Sequence, residues 1–124
     1  MKPRRLVLLA ALILPLWLAT EARATIQRIV IVQVENIDAY LQELRHGQEI
    51  LTKLGSVQRL RVWRARFAGP EAGTLSVSVE YADLAAYAED EKKLAASPEF
   101  QAWIKALAKQ RKIISDSLHD ELKL

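Results

Sequence analysis

Eight residues with chemically useful side chains fall where strand periodicity would put them on a single surface: Arg61, Trp63, Ser76, Ser78, Glu80, Ser115, Ser117 and His119. An imidazole titrating near about 6.5, beside a carboxylate and a guanidinium, can take a proton from a phenol or an enol. Trp63 would give a planar ligand a wall, and Arg61 and the serines would supply its few polar contacts. His119 and Glu80 are thus the candidate acid–base residues. Arg61, Trp63, Ser76, Ser78 and Ser117 are the candidate ligand-binding residues. The same set has a plainer use. An Arg–Glu ion pair and serine hydroxyls can satisfy a sheet-to-sheet subunit interface, and such networks imitate active sites. Parity puts these residues on one face but does not supply their register.

Other chemistries are poorly served. The two histidines, His46 and His119, lie on separate elements without ligand spacing, so no metal site is expected. The chain has no cysteine, which removes thiol catalysis, thiolate ligation and disulfides. Gly69 and Gly73 belong to a turn and not to a phosphate-binding loop. Ser117, His119 and Asp120 lack the strand–turn–helix setting of a nucleophile elbow. No cofactor is expected.

The elements that must position the candidate residues centre on RVWRARFAGPEAGTLSVSVEY, residues 61–81. Residues 74–81 alternate, with Leu75, Val77, Val79 and Tyr81 on one face and Thr74, Ser76, Ser78 and Glu80 on the other. Residues 57–67 form the partner strand, with a bulge or the end of pairing expected after Trp63, where the alternation breaks. Residues 69–73 read as a five-residue hairpin loop. Before the hairpin, residues 25–35 are apolar on both parities and predict a central strand. Residues 36–54 predict a helix, capped by Asn36 or Asp38, stopped by Gly55, with Gly47 on its apolar stripe as a packing glycine against the sheet. After the hairpin, Asp83 caps a helix to about residue 96, with Leu84, Tyr87 and Leu94 inward and residues 89–93 outward. Ser97-Pro98-Glu99 starts a second helix whose stripe is Phe100, Trp103, Ile104 and Leu107. Residues 113–122 predict a last strand, polar for its length.

Residues 1–24 are read apart from the fold. Lys2, Arg4 and Arg5 precede an apolar run over residues 6–19, too short for a span of about 20 residues, and Ala22-Arg23-Ala24 is a small-x-small cleavage site. The pattern predicts a signal peptide, export to a periplasmic or secreted location, and no membrane attachment after cleavage. The Arg4-Arg5 pair does not separate general from twin-arginine export. Cleavage would remove Lys2, Arg4, Arg5 and Arg23 from the 18 basic residues and Glu21 from the 15 acidic ones, leaving 14 of each. The whole-chain charge of +3 therefore belongs to the leader, and no nucleic-acid partner is expected.

Residues 25–124 make one domain of α+β class in the order βαββαβ, a ferredoxin-like arrangement with an antiparallel sheet and a second helical region split in two. The run WRARFAGPEAGTLSVSVEYADLAAY, the following KLAASPEFQAW and the closing IISDSL resemble the dimeric α/β-barrel superfamily, and within it small proteins related to the antibiotic-biosynthesis-monooxygenase and NIPSNAP groups. The resemblance implies a homodimer that closes a barrel sheet to sheet and binds a small hydrophobic or aromatic ligand. Relatives of this kind include cofactor-free oxygenases, haem-degrading enzymes, dehydratases and isomerases, so a monooxygenase-like activity and a non-enzymatic structural role both remain open. Haem degradation is not carried over: Asn36, Trp63 and His119 do not occupy the matching elements.

Overall fold

A computed structural model describes residues 24–124; the leader expected over residues 1–24 lies outside them except for its last residue, Ala24. The elements are β1 (Ile26–Gln33), α1 (Ile37–Lys53), β2 (Arg61–Arg64), a 3₁₀ turn (Gly69–Glu71), β3 (Leu75–Tyr81), α2 (Leu84–Ala95), α3 (Pro98–Ala108) and β4 (Lys112–Asp120). The sheet order is β2-β3-β1-β4 with every pairing antiparallel. This is the expected ferredoxin-like arrangement, with β1 central and all three helices on one face.

The covered face follows the register. Ile26 pairs with Tyr81, Val30 with Val77, and Val32 with Leu75, so these side chains share the side that meets the helices. Tyr40, Leu44 and Ile50 of α1 and Trp103 and Leu107 of α3 complete one core; Ile26, Val79 and Tyr81 make a smaller one. Each such buried aliphatic or aromatic side chain contributes about 1.5–3 kcal/mol.

Helix ends are set by side chains. The Asn36, Asp83 and Ser97 oxygens accept from the backbone N–H of Ala39, Ala86 and Phe100. At the end of α1, Gly55 takes φ +74°, its N–H reaches Thr52 O, and Ser56 N–H reaches Leu51 O. That double bond pattern closes a helix on a left-handed residue, which glycine tolerates without a Cβ clash.

Several expectations are corrected. The strand expected over residues 57–67 shrinks to Arg61–Arg64 because its first half is bonded elsewhere. Val57 N–H donates to Asp90, Gln58 N–H to the Ser56 hydroxyl and Leu60 N–H to Gln48 Oε1, so side chains take the donors a ladder would use. The hairpin connection is longer than five residues. It runs over 65–74 and is closed by Ala65 N–H to Thr74 O and Gly73 N–H to Ala65 O. Leu84 is exposed, whereas Asp90, expected outward, is buried and accepts from Ser56 Oγ at 2.9 Å. Gly47 packs against Trp103 and not the sheet: a Cβ there would lie 1.9 Å from the indole. Finally, a bulge in β4 skips Ile114, so Ile113 pairs with Val32 and leaves the parity it shares in sequence with Ser115.

Candidate functional site

The open face of the sheet carries the predicted site residues, arranged in three cross-strand rows. His119, Gln27 and Glu80 form one row; Ser117, Ile29, Ser78 and Arg61 the next; Ser115, Ile31, Ser76 and Trp63 the third. Parity thus groups them correctly. Register then separates them, because β2 and β4 are opposite edges of the sheet. His119 and Glu80 stand two strand spacings apart, roughly 10 Å, with Gln27 between them. No direct acid–base pair forms.

Two small clusters result. On the β2 side the Trp63 indole N–H donates to Ser78 Oγ at 2.9 Å, and the Arg61 guanidinium lies 4.6 Å from the centre of the Trp63 ring. That cation–π contact replaces the Arg–Glu pair: among the described residues, Arg61 and Glu80 are in no ion pair. On the β4 side the Ser117 hydroxyl is 3.3 Å from Ile29 O and 2.8 Å from His119 Nε2. A serine has one proton, so if Ile29 O receives it, His119 Nε2–H must donate to Ser117. Trp63 is half-exposed and Ile29 and Ile31 are half-buried, with no described element over them.

The larger of two described hollows lies away from this face. A cleft of about 810 Å³ opens where β1 runs into α1, between the hairpin connection and the α3–β4 junction. Its wall includes Val34, Glu35, Ala39, Pro70, Ala72, Lys109, Gln110, Arg111 and Lys112. The volume lies within the range of small-molecule sites. A smaller hollow of about 300 Å³ is bordered by Ile26, Leu84, Leu118 and His119. Periodicity could not announce the larger cleft, since it is made from element ends; the only sequence signal was the basic run closing α3.

Two polar groupings on the covered side were not foreseen. Gln58 Nε2 donates to the Tyr81 hydroxyl at 2.7 Å, and that hydroxyl points to Asp90 at 3.5 Å. Burial, with the nearby Asp90 charge, holds the Tyr81 phenol well above the usual tyrosine range. Arg28 forks onto both Asp116 oxygens at 3.0 and 2.8 Å and reaches Glu91 of α2 at 3.1 Å. The hydrogen bonds from Arg28 hold the Asp116 carboxyl below the ordinary carboxylate range. No group of three or more potential metal ligands occurs among the described residues.

The fold has solved counterparts. The cofactor-independent oxygenase SnoaB from Streptomyces nogalater superposes with a TM-score of 0.60 at 14% identity, over 82% of this chain and 96% of that one. A NIPSNAP family protein from Agrobacterium tumefaciens gives 0.59 at 21% identity, over 81% and 93%. A putative antibiotic biosynthesis monooxygenase from Bordetella bronchiseptica gives 0.53 at 14%, over 82% and 98%. No family model and no curated relative matches the sequence. The resemblance read from the sequence therefore holds at the level of fold: the chain has the ferredoxin-like fold of the antibiotic-biosynthesis-monooxygenase and NIPSNAP proteins.

Proposed function

We propose that the chain is exported, pairs with a second copy through the open face of its sheet, and binds a small organic molecule in the cleft at the end of β1. The observation that carries the reading is the division of labour on the surface. The open face has Ile29, Ile31 and half-exposed Trp63 uncovered, while its polar groups Trp63, Ser78 and Ser117 already bond within the chain. A face of that kind suits a subunit seam. The cleft has ligand size and a wall mixing Val34, Ala39, Pro70 and Ala72 with charged side chains, which suits an amphipathic molecule better than a purely hydrophobic one.

Monooxygenase-like chemistry is the finer proposal, and SnoaB, a cofactor-independent oxygenase with this fold, supports it by analogy of fold only. A non-enzymatic structural role is the second reading. It is favoured by the contacts within the cluster, the Trp63 indole bonded to Ser78 and the Arg61 guanidinium laid over the Trp63 ring, which commit these side chains to one another. Native mass spectrometry of the protein purified from the exported fraction tests both. A dimer carrying extra small-molecule mass is expected. A bare dimer moves the structural reading ahead, and a monomer removes the seam.

A further inference from the structure

We infer that the cleft at the end of β1 selects an organic carboxylate, held by Arg111 with Lys109 and Lys112; this rests on the ligand-binding reading above and names the chemical class of that ligand. Three cations stand on one wall of the cleft, and Glu35 is the one acidic residue on its lining. None of the three is in an ion pair among the described residues. Asp116, which feels the Arg111 charge, is already engaged by both arms of the Arg28 fork.

The wall is also unfinished. Arg111 Nε is buried with no acceptor, and neighbouring Gln110 Oε1 is buried with no donor. The one side-chain bond Arg111 makes among the described residues is a long one, Nη1–H to the Tyr40 hydroxyl at 3.4 Å. A buried charged donor left unmatched is costly, more so than a neutral one, so a guanidinium this poorly bonded gains from an anion that reaches its Nη groups from the cleft. A guanidinium presents its donors in a planar fork that matches a carboxylate's two oxygens. Lys109 and Lys112 add exposed point charges at the mouth, which raise the local concentration of anions. The body of the ligand meets Val34, Ala39, Pro70 and Ala72, so the acid is organic and not a bare inorganic ion.

The test uses the purified protein with three probes: benzoate, its neutral isostere benzamide, and inorganic phosphate. Binding is followed by amide chemical shifts. Benzoate is expected to shift residues 33–39 and 109–112 and to bind at least about tenfold tighter than benzamide. Its affinity should fall with added salt. Because Arg111→Gln could disturb the Tyr40 contact and the fold, Lys109→Ala and Lys112→Ala, on exposed side chains, carry the mutational arm; each should weaken benzoate severalfold and leave benzamide unchanged. Equal binding of benzamide and benzoate in the cleft overturns the carboxylate while leaving the ligand-binding reading intact. Phosphate binding as tightly as benzoate overturns the organic part. Absence of shifts in the cleft with all three probes overturns both this inference and the reading beneath it.

Discussion

Trp103 and Trp63 stand on opposite sides of the sheet, and both have a bonded indole N–H. Trp103 donates to Glu43 O on α1 at 3.1 Å and is 6% exposed. Trp63 donates to Ser78 at 2.9 Å, is overlaid by Arg61, and is 49% exposed. The hydrogen bonds are alike; the surroundings are not. Trp103 lies so close to α1 that only a glycine fits beneath it, whereas Trp63 has one face of its ring on an arginine and nothing described beyond. The covered face is therefore a finished core, and the open face is a surface on which Trp63, Ser78 and Ser117 are hydrogen-bonded while the apolar groups have no described neighbour over them. Folding explains the first; the proposed seam with a second copy would explain the second.

The sharpest way to break that comparison is at Gly47. A Cβ there would meet Trp103 Cζ2 at 1.9 Å, and the ring is fixed by its bond to Glu43. Gly47→Ala should lower stability by about 3 kcal/mol or more, read as a drop in the urea midpoint. Putting Trp103→Leu in the same chain should make the two changes non-additive by at least about 1 kcal/mol. Additive effects would mean that the close approach is not what the glycine serves.

Next in size is Asp90, which fixes the α1–β2 connection from the covered side. Asp90→Ala leaves the Ser56 hydroxyl and the Val57 N–H without their acceptor and should cost about 2 kcal/mol in the same assay. The neighbouring Tyr81 adds a pH signature. Its phenol is raised in the folded state, so its contribution is fully present below about pH 10, where the unfolded tyrosine is still neutral. As pH rises past that point only the unfolded chain ionises, and stability should fall by up to about 1.4 kcal/mol per pH unit. Tyr81→Phe should flatten that slope; an unchanged slope would reassign it to another group.

On the open face the same kind of change should read out differently. Trp63→Ala should alter the stability of the single chain by only about 1 kcal/mol, since it loses one cation–π contact and one part-buried hydrogen bond. Its effect on self-association should be larger, about 2 kcal/mol or roughly thirtyfold in the dimer constant by sedimentation equilibrium. A dimer indifferent to Trp63→Ala and to Arg61→Ala would mean that the open face is not the seam.

How much of this was legible in the sequence follows from what each pattern encodes. Period-two alternation in Leu75–Tyr81 and the caps at Asn36, Asp83 and Ser97 are local, and they gave the strand, the helix starts and the fold order. Register is not local. Glu80 and His119 share a parity, yet β1 lies between them, so the acid–base pair suggested by parity does not form. Asp90 looked like a solvated acid in a charged stretch because its partners, Ser56 and Val57, sit over thirty residues earlier. The cleft at the end of β1 was invisible for the same reason: four separated element ends meet there, and no single stretch carries the pattern.

The smallest expected effect lies at the edge of the covered face, where finished core gives way to solvent. Arg28 forks onto Asp116 of β4 and reaches Glu91 of α2, tying an edge strand to a helix. The Asp116 carboxyl is depressed by the hydrogen bonds from Arg28. A depressed acid stabilises the fold above its unfolded pKa, near about 4, and that contribution is lost as pH falls through the lower folded value. The Asp116 side chain is 40% exposed, so screening should keep the contribution below about 1 kcal/mol. Wild type should therefore lose slightly more stability than Asp116→Asn between pH 6 and pH 3, and the difference should shrink in 1 M salt. If the two proteins show the same acid slope, the fork is only geometry, and β4 is held by its backbone ladder with β1 alone. The edge strand would then be as weakly anchored as the open face it borders, and pairing with a second copy would have to stabilise it.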